Sequence, residues 1–230
     1  MVKDIYSISY KMKKELYEKI ISIVLAFVVS VFLVSIITTF FIFPVFSKSD
    51  SMENDIPEKS FVLVSPLLKN AERGEVMLCD AGEKYKYSFF SSAVNFVCRF
   101  FSAQQFSPLE NSKSISPCLR RVVGLPGDTI YISNYIVFIK PEGEAQYLTE
   151  FELTKIKYNL TVSENGAGID MKIGALGNMD KITLKKNEYF VLADNRAEGV
   201  DSRIWGTLSS DDFKGKALFI YLPVNNARFF

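Results

Sequence analysis

Between residues 20 and 47 the chain carries no charged side chain: IISIVLAFVVSVFLVSIITTFFIFPVFS. About 20 apolar residues suffice to cross a bilayer, and a longer run crosses with some tilt. Apolar positions fall on every face of the helix this run would form, whereas a core helix keeps a polar side. A cleavable signal peptide would have a shorter apolar stretch ending in an A-x-A pattern, and neither feature is present. Lys3, Lys11, Lys13, Lys14 and Lys19 precede the run, and only Lys48 and Lys59 follow it closely. The excess of positive charge before the span orients it with the N-terminus in the cytoplasm. The pattern therefore predicts a single-pass protein of the cell (inner) membrane. Residues 1–19 form a cytoplasmic segment, 20–46 a retained transmembrane signal anchor, and 47–230 an extracytoplasmic domain.

Beyond the anchor the periodicity changes. Residues 61–64, 75–79 and 119–125 are short β-branched or aromatic runs bounded by turn residues, and so read as strands. Residues 129–132 and 135–139 read as a hairpin turning at Ser133-Asn134. Two more strands are expected at 188–192 and 217–222. Leu125-Pro126-Gly127-Asp128 suits a type II turn, with proline presetting φ and glycine taking the positive φ that follows. The prediction is a mainly β fold: an N-terminal transmembrane helix, then a largely antiparallel β-domain with a few short helices. Residues 88–106 are aromatic-rich, with Phe89, Phe96 and Phe100 able to share a helical face, but Arg99 makes them a poor second span. Two readings stay open there, an amphipathic element lying on the membrane and a core helix or buried hairpin. Residues 141–180, rich in Gly, Glu and Lys, read as a variable insertion.

Composition narrows the chemistry. Formal charge is +1, from 27 basic and 26 acidic residues, so nothing points to nucleic acid as a partner. Histidine is absent from all 230 residues. This closes every Ser-His and Cys-His mechanism and every His-ligated metal site. Cys79, Cys98 and Cys118 form no CxxC pair and read as small buried apolar residues, with one disulfide left open. No metal or cofactor is implied.

The candidate chemistry lies in four ordered motifs: Ser49-Asp50-Ser51-Met52 just past the anchor; Arg73-Gly74-Glu75-Val76; Arg120-Arg121-Val122-Val123-Gly124-Leu125-Pro126-Gly127-Asp128; and Ala193-Asp194-Asn195-Arg196 followed by Asp201-Ser202-Arg203-Ile204-Trp205-Gly206. In this order, after a membrane anchor, they resemble the boxes of bacterial signal peptidase I, a membrane-bound serine endopeptidase with a Ser-Lys dyad. The ending, from Lys214-Gly215-Lys216-Ala217 to Tyr221-Leu222-Pro223, resembles that family's last strand. The resemblance implies a β-domain seated on the membrane, preprotein signal peptides as substrate, and membrane lipid and the export machinery as neighbours. It assigns Ser51 as nucleophile, Ser49 to the oxyanion hole, and Asp194, Arg196, Asp201, Ser202 and Arg203 to structural support through charge-assisted hydrogen bonds.

The resemblance breaks at the base. Where a lysine is expected stands Arg120, and the next residue is Arg121. A buried lysine can lose its proton and accept another, whereas guanidinium has no acceptor and stays protonated. Asn54-Asp55 replaces the expected Pro-Thr, and Gly199 stands where a serine near the base is expected. Two functions follow for test. One is an active signal peptidase using Ser51, with a base borrowed from elsewhere in the chain, although nothing in the sequence places Lys113, seven residues before Arg120, at Ser51. The other is a catalytically silent paralogue that binds signal peptides or membrane partners.

Overall fold

The computed structural model describes residues 5–82, 88–109, 116–162, 177–197 and 199–230, with side chains from residue 10 onward. Lys113 and residues 163–176 of the insertion lie outside the described residues. Helix α1 runs Ile5–Phe40, and its stretch Tyr10–Phe40 is long and apolar enough to cross a membrane. Its side chains are bare along most of this length: Phe27 is 68% exposed and Val24 55%. The apolar run does not stay helical to its end. Strand β1, Phe43–Phe46, follows at once and pairs antiparallel with β2, Phe61–Ser65. The membrane helix is thus joined to the domain's sheet by only a short turn.

Strand β3 is Val76–Cys79, and helix α2 is Phe89–Phe101. No residue of α2 is buried. The core-helix reading of this segment is therefore replaced by an exposed amphipathic helix laid against α1, with Phe32 and Phe100 ring centroids 5.8 Å apart. Gln104, just beyond α2, reaches Thr39 of α1 at 3.3 Å. Next come β4, Cys118–Gly124, and the hairpin β5, Thr129–Ser133, and β6, Ile136–Lys140. The hairpin turns at Asn134 and Tyr135, at φ 49° and 66°, one residue later than expected, because Ser133 still pairs with Ile136. Gly127, at φ 88°, takes the positive φ the Pro-Gly turn requires.

The insertion supplies β7, Leu148–Thr149, and the one-turn helix α3, Glu150–Leu153. Then follow β8, Met179–Thr183; β9, Glu188–Leu192; α4, Ser202–Trp205; β10, Leu208–Ser209; the long β11, Phe213–Leu222; and β12, Arg228–Phe229. One sheet has the order β1-β2-β11-β3-β4-β9-β10 with β12 on β11, and a second has β7-β6-β5-β8. Every pair of these strands is antiparallel. Val62, Val64, Leu78, Leu119 and Ile220 form one core with Met52 and Ile56, and Val123, Ile130, Val137, Ile139 and Phe190 form another beneath the hairpin.

All three cysteines are free thiols. Cys79 is buried as expected, but Cys98 and Cys118 are only partly so, since α2 lies outside the core and Cys118 begins its strand. Burial pushes the Cys79 thiol well above its ordinary value, and that of Cys118 up as well.

Candidate active site

Ser51 sits in the loop between β1 and β2, and the residue after it fixes it there. Met52 is buried with Ile56 in the first core, so the loop is held by its own apolar side chains. The Ile56 N–H donates to the Met52 carbonyl at 2.5 Å and that of Glu53 to Asp50 at 2.9 Å, curling the loop tightly. The Ser51 carbonyl accepts from the Asn195 N–H at 2.9 Å, tying the loop to the segment after β9. Its hydroxyl lies 2.8 Å from that of Ser49.

Arg120 points at the same hydroxyl from the middle of β4. Its Nη1 donates to Ser51 Oγ at 2.9 Å and to the Leu119 carbonyl at 2.5 Å, and its Nε to the Val200 carbonyl at 2.9 Å. The guanidinium lies over the Trp205 ring, 5.5 Å from its centroid. Arg120 is 5% exposed, and among the described residues no carboxylate comes within ion-pair distance of it. Ser51, Ser49 and Arg120 are therefore brought together, and the group beside the hydroxyl is a donor. A guanidinium in this position stabilises negative charge but cannot receive the serine proton.

The three residues border a cavity of about 550 Å³. Its walls come from β1, from Leu78 and Asp80 at the end of β3, from Pro117 to Arg120, and from Asn95, Arg99 and Gln104 of α2 and its continuation. Polar residues of α2 thus face the cavity, whereas Phe89 is 90% exposed and Phe90 76%.

The remaining motif residues build the frame. Arg121 forks onto Asp194, Nε to Oδ1 at 2.8 Å and Nη2 to Oδ2 at 2.5 Å, and also bonds Asp55 and the Gly74 carbonyl. Burial pushes the Asp194 carboxyl up against the pull of these bonds. The same bonds lift the Arg121 guanidinium above its ordinary value despite its own burial, and the two-bond geometry keeps the pair ionised. Asp201 caps α4, accepting from the Arg203 N–H at 3.1 Å, and receives the Arg203 side chain at 2.9 and 2.8 Å. Ser202 Oγ accepts from the Val191 N–H at 3.0 Å. Arg73 pairs with Asp128 at 2.8 Å, linking the second motif to the third. None of Asp194, Arg196, Asp201, Ser202 or Arg203 hydrogen-bonds Ser51 through its side chain.

Two members of this frame, Glu150 and Tyr158, escape the motif reading. Glu150, from the insertion, receives both ends of the Arg196 fork at 3.0 and 2.6 Å, and each partner is 1% exposed. Burial opposes the Arg196 charge, yet Glu150 outweighs it and holds the guanidinium above its ordinary value. Tyr158 donates to Glu150 at 2.8 Å and lies under Arg121, 4.0 Å from ring centroid to guanidinium carbon; burial, then Glu150, push its phenol up. Asn54 bonds Thr161 at 2.8 Å, and Asp55 bridges Arg121 and Arg228. Asn54 and Asp55 thus tie the Ser51 loop to the insertion and to the C-terminus. Capping-box spacing around Thr149 and Glu152 signals α3, but nothing local singles out Glu150 or Tyr158.

Similarity to known proteins covers the same span. A family model described as "Signal peptidase, peptidase S26" matches residues 20–222. The chain is 26% identical over 207 residues to signal peptidase I P of Bacillus subtilis subsp. natto, covering 88% of this chain and 89% of that protein. It is 24% identical over 224 residues to signal peptidase IB of Staphylococcus aureus (strain MRSA252), covering 95% of each.

Proposed function

Because the chain belongs to the signal peptidase family, peptidase S26, we propose that it is a membrane-bound serine endopeptidase that removes signal peptides from exported preproteins, with Ser51 as nucleophile. The observation that carries this reading is the Ser51 hydroxyl itself. It sits at the edge of a 550 Å³ cavity, in the loop after the one short strand that follows the membrane helix, and so close in the chain to where a membrane-inserted signal peptide would present its cleavage site. Ser51 Oγ would attack the scissile carbonyl, with Ser49 Oγ and the Ser51 N–H receiving the oxyanion. Arg120 would hold developing negative charge without taking the serine proton, which reaches the leaving amine by way of solvent as the peptide C–N bond breaks, and water then hydrolyses the acyl-serine. Losing a positioned general base costs about 10²–10⁴ in rate, so turnover is slow. The lysine-rich start of α1 supports a cytoplasmic N-terminus, with residues 1–19 inside, the apolar stretch of α1 from residue 20 to Phe40 in the bilayer, and the domain that begins at β1 outside. The bare aromatic face of α2 suits contact with the same lipid.

A second reading, a silent paralogue that binds signal peptides, is favoured by one observation: the group bonded to Ser51 is a permanent donor. Cleavage of a preprotein by the detergent-solubilised protein separates the two. Turnover that disappears in Ser51→Ala supports the peptidase. Equal, background-level signal from both proteins refutes it and leaves the binder.

A further inference from the structure

We propose that Arg120 makes the cavity a receptor for peptides ending in a free carboxylate, the chemical form in which a signal peptide leaves cleavage. The inference rests on the reading that this cavity takes signal peptides. Arg120 is a buried cation whose Nη2 makes no hydrogen bond to any described residue, although Nη1 and Nε are fully engaged. A buried guanidinium with an open N–H edge on a cavity wall is suited to a carboxylate, which it binds with charge-assisted hydrogen bonds.

The neighbouring groups point the same way. Ser51 Oγ already accepts from Arg120 and can also accept from Ser49, which leaves its own proton to give. The Ser51 N–H has no acceptor among the described residues. Three kinds of donor therefore lie around Ser51 at the edge of the cavity: the Arg120 edge, the serine hydroxyl and a backbone amide. A lysine poised as a neutral base would give a carboxylate no such charge, and an uncleaved preprotein presents only a neutral amide. The site thus favours the cleaved amino-terminal fragment over the intact chain that would precede it.

The test uses the full chain in detergent micelles. The probes are a synthetic peptide matching the signal peptide of an exported protein up to its cleavage point, made once as the C-terminal acid and once as the amide. The acid should bind about 10–100-fold more tightly, the range set by a hydrogen bond to a charged group. Arg120→Gln should remove that gap, bringing the acid down to the affinity of the amide in the same variant. Equal affinity of the two peptides for the wild type overturns the carboxylate inference and leaves peptide binding standing. Binding of neither peptide overturns both. The wild-type comparison decides even if the variant fails to fold.

Discussion

Replacing Arg120 by lysine should convert a slow or silent protein into a fast one, and the surroundings of the guanidinium set the size of the gain. At 5% exposure, with no carboxylate within ion-pair distance among the described residues, an amine placed there loses most of its hydration. Full burial lowers a lysine pKa by about 3–5 units, while the Trp205 face, worth about 0.5–2 kcal/mol to a cation, returns part of it. The net shift is downward from the ordinary lysine range, which raises the neutral fraction that can accept the serine proton. Its reach is shorter by one C–N bond, ~1.3 Å, which a small shift of the flexible stem recovers. A positioned general base is worth about 10²–10⁴, or about 2.7–5.4 kcal/mol of barrier. Single-turnover cleavage of a preprotein in detergent micelles, with wild type, Arg120→Lys and Arg120→Lys/Ser51→Ala side by side, measures it. The lysine variant should also show a rate that rises with pH and then levels, as one amine titrates. A folded Arg120→Lys protein no faster than wild type would refute the placement of Ser51 and Arg120 as nucleophile and base positions.

Two further outcomes follow from the frame. Glu150→Gln removes the charge facing Arg196 while both lie out of water, so chemical denaturation should show a loss toward the lower end of about 3–5 kcal/mol; an unchanged midpoint would mean that Arg196 finds another anion. Alkali should also weaken the fold. Burial raises the folded-state values of Cys79, Cys118 and Tyr158 above their unfolded ones, so the protonated groups contribute stability that is complete below about pH 8.5 and lost as pH rises past it. The melting temperature should fall from about pH 8.5 upward, and less steeply in Cys79→Ala; a flat profile in both proteins contradicts the assignment.

The span was legible because a charge-free run of that length has few other uses, and the strands because their apolar runs are cut by turn residues. The end of the helix was not, since Phe43 to Phe46 are as apolar as the residues before them; only pairing with β2 makes them a strand. The hairpin slipped by one position because the turn places a tyrosine at positive φ, a choice that no local preference announces. Ser51, Ser49 and Arg120 were readable as a motif, and their meeting at 2.8 and 2.9 Å is what the fold supplies. Glu150 and Tyr158 were invisible for the opposite reason. They lie in a segment whose composition reads as a loop, and their importance comes wholly from buried arginines contributed by distant parts of the chain.

Gly199, where the family resemblance expects a serine, is fixed by its surroundings in a way that Arg120 is not. A Cβ added there would overlap the Ala193 side chain and stand 2.7 Å from the Asn195 carbonyl oxygen. The Gly199 N–H is bonded to that same carbonyl at 2.9 Å, so the backbone at this position is held where a side chain has no room. A lysine at position 120 needs one substitution, but a serine at 199 also needs the backbone around it to be reshaped. Its cost therefore depends on which other changes accompany it. Arg120 and Gly199 are in this sense unequal departures from the resemblance: the first is a single exchange away, and the second is held in place by its neighbours.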